Sequence, residues 1–313
     1  MKVLVTGVGG QLGHDVMNEL AVRGYDGIGS DIAPEYSGVA DGSAVTAMPY
    51  IQLDITDAEA VTAKIAETDP DVVVHCAAWT AVDMAEDDDK VEKVRAINAG
   101  GTSNIAGVCK ELGCKMVYIS TDYVFDGQGL EPWQPDCKDY KPLNVYGQTK
   151  LEGELAVSRT LEKYFIVRIA WVFGKNGKNF IKTMLNVGKT HDKLTVVNDQ
   201  IGTPTYTFDL ARLLVDMIET EKYGYYHATN EGGYISWYDF TKEIFRKAVE
   251  MGHEEYSEDR LTVTPVTTEE YGISKAARPF NSRLDKSKLV ENGFDPLPTW
   301  QDALGRYLKE IEF

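Results

Sequence analysis

The sequence predicts an α/β fold: a doubly wound parallel sheet with helices on both faces, followed by a smaller C-terminal α/β subdomain. Three observations carry that expectation. Strand-like apolar runs alternate with helix-period segments through the first half of the chain, and strands joined by helical crossovers pair in parallel. A glycine-rich turn, Gly7 to Gly13, separates the first apolar run from the first helical segment. After Trp171 the alternation loosens into helical segments parted by Gly-, Pro- and Tyr-containing stretches.

The elements follow in order. Lys2–Thr6 is rich in β-branched residues and reads as a strand. Leu12, Val16 and Leu20, at four-residue spacing, draw one apolar helix face. Gly27–Ser30 is a weak second strand, and Ile51 and Leu53 mark a third. Ala58–Ala66 reads as a helix stopped before Asp69-Pro70, because a residue ahead of proline disfavours helical backbone. Asp71–Ala77 (DVVVHCA) and Lys115–Ser120 (KMVYIS) are buried strands, with a long helix, Lys90–Leu112, between them and Gly113 as its stop. A helix over Tyr146–Leu161 and a strand over Phe165–Ala170 continue the alternation. Further helices are expected near Phe180–Val187, Phe208–Glu219 and Trp237–Glu250. The chain thus divides into residues 1–171, the sheet domain, and 172–313, the smaller subdomain, with some of the later chain returning to the sheet.

Composition excludes several partners. The 313 residues hold 49 acidic and 32 basic side chains, a net charge of −17. Nucleic acids and anionic membranes both need surplus Lys and Arg. No apolar run approaches the ~18 residues of a membrane span, and the N-terminal run stops at Thr6-Gly7, too soon for a secretory signal. Cys76, Cys109, Cys114 and Cys137 form no CxxC pair and no His cluster accompanies them. That argues against a zinc site or a disulfide framework and fits a reducing cytoplasm. The acidic run Glu86–Asp89 reads as a solvated loop or helix start.

The stretch Thr6-Gly7-Val8-Gly9-Gly10-Gln11-Leu12-Gly13 has a strand before it and a helix after it, the context of a Rossmann-type dinucleotide loop. Gly7 permits the tight turn, Gly10 lets the backbone approach a pyrophosphate, and Gly13 lets the helix pack closely on the sheet. The amides at Gln11 and Leu12, at the helix N-terminus, are then free for phosphate oxygens. Asp31 lies 18 residues beyond Gly13 and is placed for the adenosine ribose, which favours NADH and crowds the 2′-phosphate of NADPH. Ala78, Trp79 and Thr80 follow the fourth strand, where the backbone can approach the ribose and nicotinamide.

Tyr146 and Lys150 form a YxxxK pair, and residues four apart share a helix face. A neighbouring ammonium is expected to lower the phenol towards working pH. Tyr146 can then pass a proton to a carbonyl oxygen as hydride arrives, and Lys150 can also bond the nicotinamide ribose. Thr121 ends the fifth strand, 25 residues before Tyr146, where its hydroxyl can reach a substrate carbonyl or simply cap a turn.

The glycine spacing GxxGxxG resembles the extended branch of the short-chain dehydrogenase/reductase superfamily. That resemblance implies that Asp54 and Ile55, after the third strand, lie by the adenine. A closer likeness rests on four segments: Tyr118–Gly127 (YISTDYVFDG), Asn144–Glu154 (NVYGQTKLEGE), Asn198–Thr205 (NDQIGTPT) and Ala277–Asp285 (ARPFNSRLD). With these the chain resembles the dTDP-4-dehydrorhamnose reductase family from Lys2 to about Trp300. The resemblance implies NADH- or NADPH-dependent reduction of the 4-keto group of dTDP-4-dehydro-6-deoxy-L-mannose to dTDP-L-rhamnose. Thr121, Tyr146 and Lys150 would be catalytic, and Thr121, Asp122 and Trp171 would contact the sugar nucleotide. Trp171 could offer an apolar indole face and an N–H donor. Arg278 and Asn281 could donate to the nucleotide phosphates, with Asn179 a similar candidate. Residues 1–171 would then bind the cofactor and 172–313 mainly the substrate.

Two departures matter. Related sugar-nucleotide 4,6-dehydratases carry Thr-Asp-Glu where this chain has Thr121-Asp122-Tyr123, so the second carboxylate needed for water loss is missing. Some family members bind magnesium at a dimer interface through glutamates; here Asp15 and Phe208 stand in those places, and Phe208 has no oxygen to offer. No metal is therefore expected, and the chain is read as a monomer or homodimer. Two other readings stay open: a non-catalytic regulatory protein like the β subunit of methionine adenosyltransferase, and a reductase of another 4-keto-6-deoxy sugar nucleotide.

Overall fold

The computed structural model describes residues 1–313. The chain runs β1 (Lys2–Thr6), α1 (Gln11–Val22), β2 (Asp26–Asp31), β3 (Tyr50–Gln52), α2 (Ala58–Thr68), β4 (Val72–His75), α3 (Val91–Arg95), α4 (Thr102–Leu112), β5 (Lys115–Thr121), α5 (Val145–Thr160) and β6 (Tyr164–Ile169). It continues through β7 (Val172–Phe173), α6 (Phe180–Gly188), β8 (Lys193–Val197), β9 (Ile201–Gly202), β10 (Thr205–Tyr206), α7 (Thr207–Ile218) and β11 (Gly224–His227). It ends with β12 (Ile235–Ser236), α8 (Trp237–Glu250), β13 (Thr262–Val266), α9 (Thr268–Tyr271), α10 (Ser287–Glu291) and α11 (Trp300–Leu308).

Seven strands form one parallel sheet in the order β11-β6-β5-β4-β1-β2-β3. The winding reverses between β1 and β4, and such a switch point opens a crevice beyond the carboxyl ends of the strands. Val3 pairs with Val72 and Thr6 with His75 across that junction. Both faces of the sheet are buried, which is why its strands read as unbroken apolar runs. Val3, Val5 and Phe165 pack with α1 and α7 through Val16, Leu20, Leu210 and Leu214. Leu4, Val73 and Met116 pack on the other face with α2, α4 and α5 through Val61, Ile105 and Val157.

Two readings change. The expected helix Lys90–Leu112 is interrupted by a π-helical turn, Ala96–Gly101. Gly101 is needed there because a Cβ would sit 2.6 Å from Ile55. The acidic run is not simply solvated: Glu86 accepts a hydrogen bond from the amide of Val145 at 2.7 Å, at the start of α5, and Asp87 pairs with Lys275. The later chain returns to the sheet: α7 packs on α1 in the main core and β11 extends the sheet beside β6. What stands apart is a layer of α6, α8 and α11 around Phe173, Phe240, Ile244, Trp300 and Tyr307.

Asp15 is buried and accepts the hydroxyl of Thr207, joining α1 to α7, while burial pushes its carboxyl up to about 7. Phe208 is exposed and stacks on Tyr206. No helix is long and apolar enough to cross a membrane.

Candidate active site

A cleft of about 750 Å³ lies over the carboxyl ends of the central strands. The glycine loop forms one wall. Gly7 has φ +73°, and a Cβ there would lie 2.6 Å from the amide nitrogen of Ala77 on the neighbouring strand end. A Cβ on Gly13 would lie 2.3 Å from the carbonyl oxygen of Gly7. No side chain caps α1, so the first amides of the helix, at Gln11, Leu12 and Gly13, have no partner within it. All three residues line the cleft, as do Gly7 and Gly10. Asn176, which motif reading passed over, donates to the carbonyl oxygens of Gly9 at 2.9 Å and Gly10 at 3.3 Å. The carbonyls are thereby tied up and the amides left for an anion. The only hint in the sequence was its place in the turn Gly174-Lys175-Asn176-Gly177.

Asp31 lines the cleft and accepts from the amide of Gly9 at 2.9 Å. Asp54 and Ile55 line it too; Asp54 is held by the amide and hydroxyl of Thr56. Ala78 and Thr80 face the cleft but Trp79 does not. Its indole turns away to donate to Ala81 at 3.0 Å, under the ammonium of Lys93. Asn98, on the π-helical turn, clamps the backbone of Trp79 and also donates to Thr149 at 3.1 Å. This side chain was not legible as a site residue, although π turns recur at functional sites.

Thr121, Tyr146 and Lys150 meet in the same cleft. Asn144 fixes the entry of α5 by accepting from Gly147 at 2.8 Å and donating to Ala277 at 2.8 Å. Thr121 donates to Asp122 at 3.0 Å and accepts from the amide of Tyr123 at 3.3 Å. Tyr123 sets its ring edge against Tyr146 at 5.5 Å.

The electrostatics differ from the sequence expectation. Burial, then the carboxylate of Asp122, push the Tyr146 phenol above its usual range, opposed by the nearby Thr121 hydroxyl. Lys150 is the group brought towards working pH: burial lowers its ammonium to about 7, opposed by Glu154 and Cys76. The buried cation does not offset desolvation of the phenol, so Tyr146 stays protonated. Asp122 is fully buried and pushed up to about 6 by desolvation. One of its oxygens and the hydroxyl of Ser120 have no protein partner. Buried polar atoms of that kind are rare without a ligand or water to satisfy them.

The remaining candidates separate. Trp171 lines the cleft in a left-handed backbone conformation, φ +52°. Its indole is stacked on Trp237 at 3.7 Å, so one of the faces expected to meet a sugar is already covered. Trp237, at the start of α8, is therefore a cleft residue as well. Arg278 stands behind the lining and touches Tyr123 and Asp83. Asn179 caps α6 through the amide of Lys182 and reaches Gln11, Gly174 and Tyr307. Asn281 donates to Gln128 and Glu131. Both carboxamides are buried and spent on the scaffold, so neither faces the cleft as expected.

The chain matches the family model described as the RmlD substrate binding domain over residues 1–313. It is 38% identical over 308 residues to the dTDP-4-dehydrorhamnose reductase of Streptomyces griseus, covering 96% of this chain and 91% of that one. It is 37% identical over 309 residues to the spore coat polysaccharide biosynthesis protein SpsK of Bacillus subtilis, covering 99% and 97%. Among solved structures, a dTDP-4-dehydrorhamnose reductase from Clostridium acetobutylicum is 41% identical with a TM-score of 0.86, covering 99% of each chain. The Bacillus anthracis reductase in complex with NADP is 38% identical with a TM-score of 0.86, again covering 99% of each. With its glycine cradle and its Thr–Tyr–Lys cleft, and with likeness along its whole length, the chain belongs to the RmlD family, that of the dTDP-4-dehydrorhamnose reductases.

Proposed function

We infer that this chain reduces the 4-keto group of dTDP-4-dehydro-6-deoxy-L-mannose to give dTDP-L-rhamnose, with NADH or NADPH as the reductant. The observation that carries this reading is the meeting of Thr121, Tyr146 and Lys150 in one cleft with the free amides of Gln11, Leu12 and Gly13.

The cradle suits a dinucleotide pyrophosphate, because backbone amides at a helix N-terminus need no formal charge to hold one. This is how a chain of net charge −17 accommodates anionic ligands. A bound reduced nicotinamide supplies the hydride. Tyr146 holds the proton at its phenolic oxygen and passes it to the carbonyl oxygen; its upward shift keeps that proton in place until needed. Lys150, on the same face of α5, favours the phenolate left behind while its own ammonium is intact. The Thr121 hydroxyl, on leaving Asp122, donates to the carbonyl oxygen, and Asp122 accepts from a sugar hydroxyl at its unpartnered oxygen. Trp171 presents its remaining surface to the sugar. Arg278, behind Tyr123, would serve the nucleotide phosphates once released from Asp83. Asp31 gives NADH the advantage over NADPH. Residues 1–171 thus carry the cofactor and the chemistry, and 172–313 mainly the substrate contacts.

Tyr123 in place of a second carboxylate argues for simple ketone reduction over dehydration. A regulatory role would need none of the three catalytic groups in register. The test is a panel of dTDP-, UDP- and GDP-linked 4-keto-6-deoxy sugars with NADH and NADPH, followed by nicotinamide absorbance. Turnover confined to the dTDP-linked 6-deoxy-L-sugar is expected. No oxidation with any of them, together with capture of a stoichiometric enzyme partner, would replace this reading with the regulatory one.

A further inference from the structure

We propose that Tyr118 is the positioning residue for Lys150, holding the lysine at both ends: its ring lies under the ammonium and its hydroxyl binds the lysine's own backbone. The proposal rests on the reading that Lys150 is part of the reductase site. Tyr118 sits in the middle of β5 and is completely buried. Its hydroxyl donates to the carbonyl oxygen of Lys150 at 3.2 Å. The Lys150 ammonium lies 4.1 Å from the centroid of the same ring. The helix is built to let this happen, for a Cβ on Gly153 would lie 2.3 Å from the Tyr118 hydroxyl. The ring is held in turn by stacking on His75 at 5.8 Å, and His75 is fixed by the hydroxyls of Thr6 and Thr102.

A lysine side chain is a flexible four-carbon stem, and something must aim it. The carboxylate one turn further along α5, Glu154, is not free to do so, because Arg168 binds both of its oxygens at 2.8 Å. The groups that face Lys150 are Glu154 and Tyr146 from α5, His75 and Cys76 from the end of β4, and Tyr118 from β5. Of these, the Tyr118 ring is the one the ammonium lies over. A cation over an aromatic face gains most where water is excluded, and this ring is completely buried. Losing it disfavours the ammonium, so the lysine deprotonates at lower pH.

The experiment compares Tyr118→Leu, Tyr118→Phe and a trifluorinated phenylalanine at 118, which keeps the shape while draining the ring's negative face. In Tyr118→Leu the alkaline limb of kcat/KM is expected about one pH unit lower, with kcat reduced and KM for the sugar nucleotide close to that of the unsubstituted protein. Tyr118→Phe restores the limb, and the fluorinated ring falls between. If Tyr118→Leu does not fold, the Phe and fluorinated pair carries the comparison. A readout independent of turnover accompanies this: trace acetylation of the Lys150 amine across the neutral to alkaline range, read by mass spectrometry. Identical Lys150 titration in all variants overturns the proposal whether or not any keto-sugar is reduced. Absent turnover in the unsubstituted protein, with a shifted Lys150 titration, overturns the reductase reading and leaves the positioning role standing.

Discussion

Arg278 donates to the Tyr123 hydroxyl at 3.1 Å and to the Asp83 carboxylate at 2.6 Å. The guanidinium behind the lining of the cleft is thus held by a carboxylate that an incoming pyrophosphate would have to replace. Tyr123 links it to the Tyr146 phenol, since its ring meets Tyr146 edge-on. Charge-assisted hydrogen bonds contribute about 1.5–3 kcal/mol. Arg278→Gln should therefore raise KM for the sugar nucleotide about tenfold or more, with a smaller loss in kcat. Asp83→Asn should lower that KM by removing the competitor. Steady-state kinetics on both variants checks this; a rise in KM for the dinucleotide instead would put Arg278 on the other ligand.

The pH dependence should run in opposite directions for activity and stability. Lys150 is lowered from 10.5 to about 7 in the folded chain. Its ammonium is the form that supports the Tyr146 phenolate, so kcat/KM should fall as pH rises through about 7. The folded state binds fewer protons at this site than the unfolded chain between about 7 and 10.5. Stability therefore gains from this residue as pH rises through that window. Lys150→Met should abolish both effects, measured as a pH–rate profile and as urea midpoints on the same samples. A midpoint in the parent protein whose pH slope matches that of Lys150→Met would contradict the assignment.

Asn176→Ala should weaken dinucleotide binding while leaving chemistry nearly intact. The carboxamide makes two hydrogen bonds to the loop carbonyls, each contributing about 1 kcal/mol. A rise in dinucleotide Kd of up to roughly thirtyfold is expected, read by nicotinamide fluorescence. An unchanged Kd would mean that the loop holds its shape without this brace.

Asp31→Ala should shift the ratio of kcat/KM for the two cofactors towards NADPH. The carboxylate already accepts from Gly9, and a 2′-phosphate beside it meets like charge. Ratios of kcat/KM for the two cofactors decide the point. A preference that does not move would locate the discrimination elsewhere.

Much of the fold was legible because its signals are local. The parallel sheet announces itself through unbroken apolar runs such as Val72–Val74 and through the glycines that let β1, α1 and β4 crowd together. The YxxxK pair was readable because helical period alone sets both side chains on one face. The parts that were misread depend on distant chain. Nothing near Trp79 says that Asn98 will clamp its backbone and turn its indole outward. Asn179 and Asn281 looked like ligand donors, yet their carboxamides found carbonyls and caps within the scaffold.

By itself the sequence determined the order of strands and helices, the glycine cradle and the pairing of Tyr146 with Lys150 on one helix face, because each follows from spacing along one or two elements. Only the tertiary structure decided their chemical state. The protonation of Tyr146, the lowered ammonium of Lys150 and the half-covered indole of Trp171 all come from what is packed around them. Desolvation and stacking are set by neighbours such as Asp122, Tyr118 and Trp237, which long-range folding alone brings within reach.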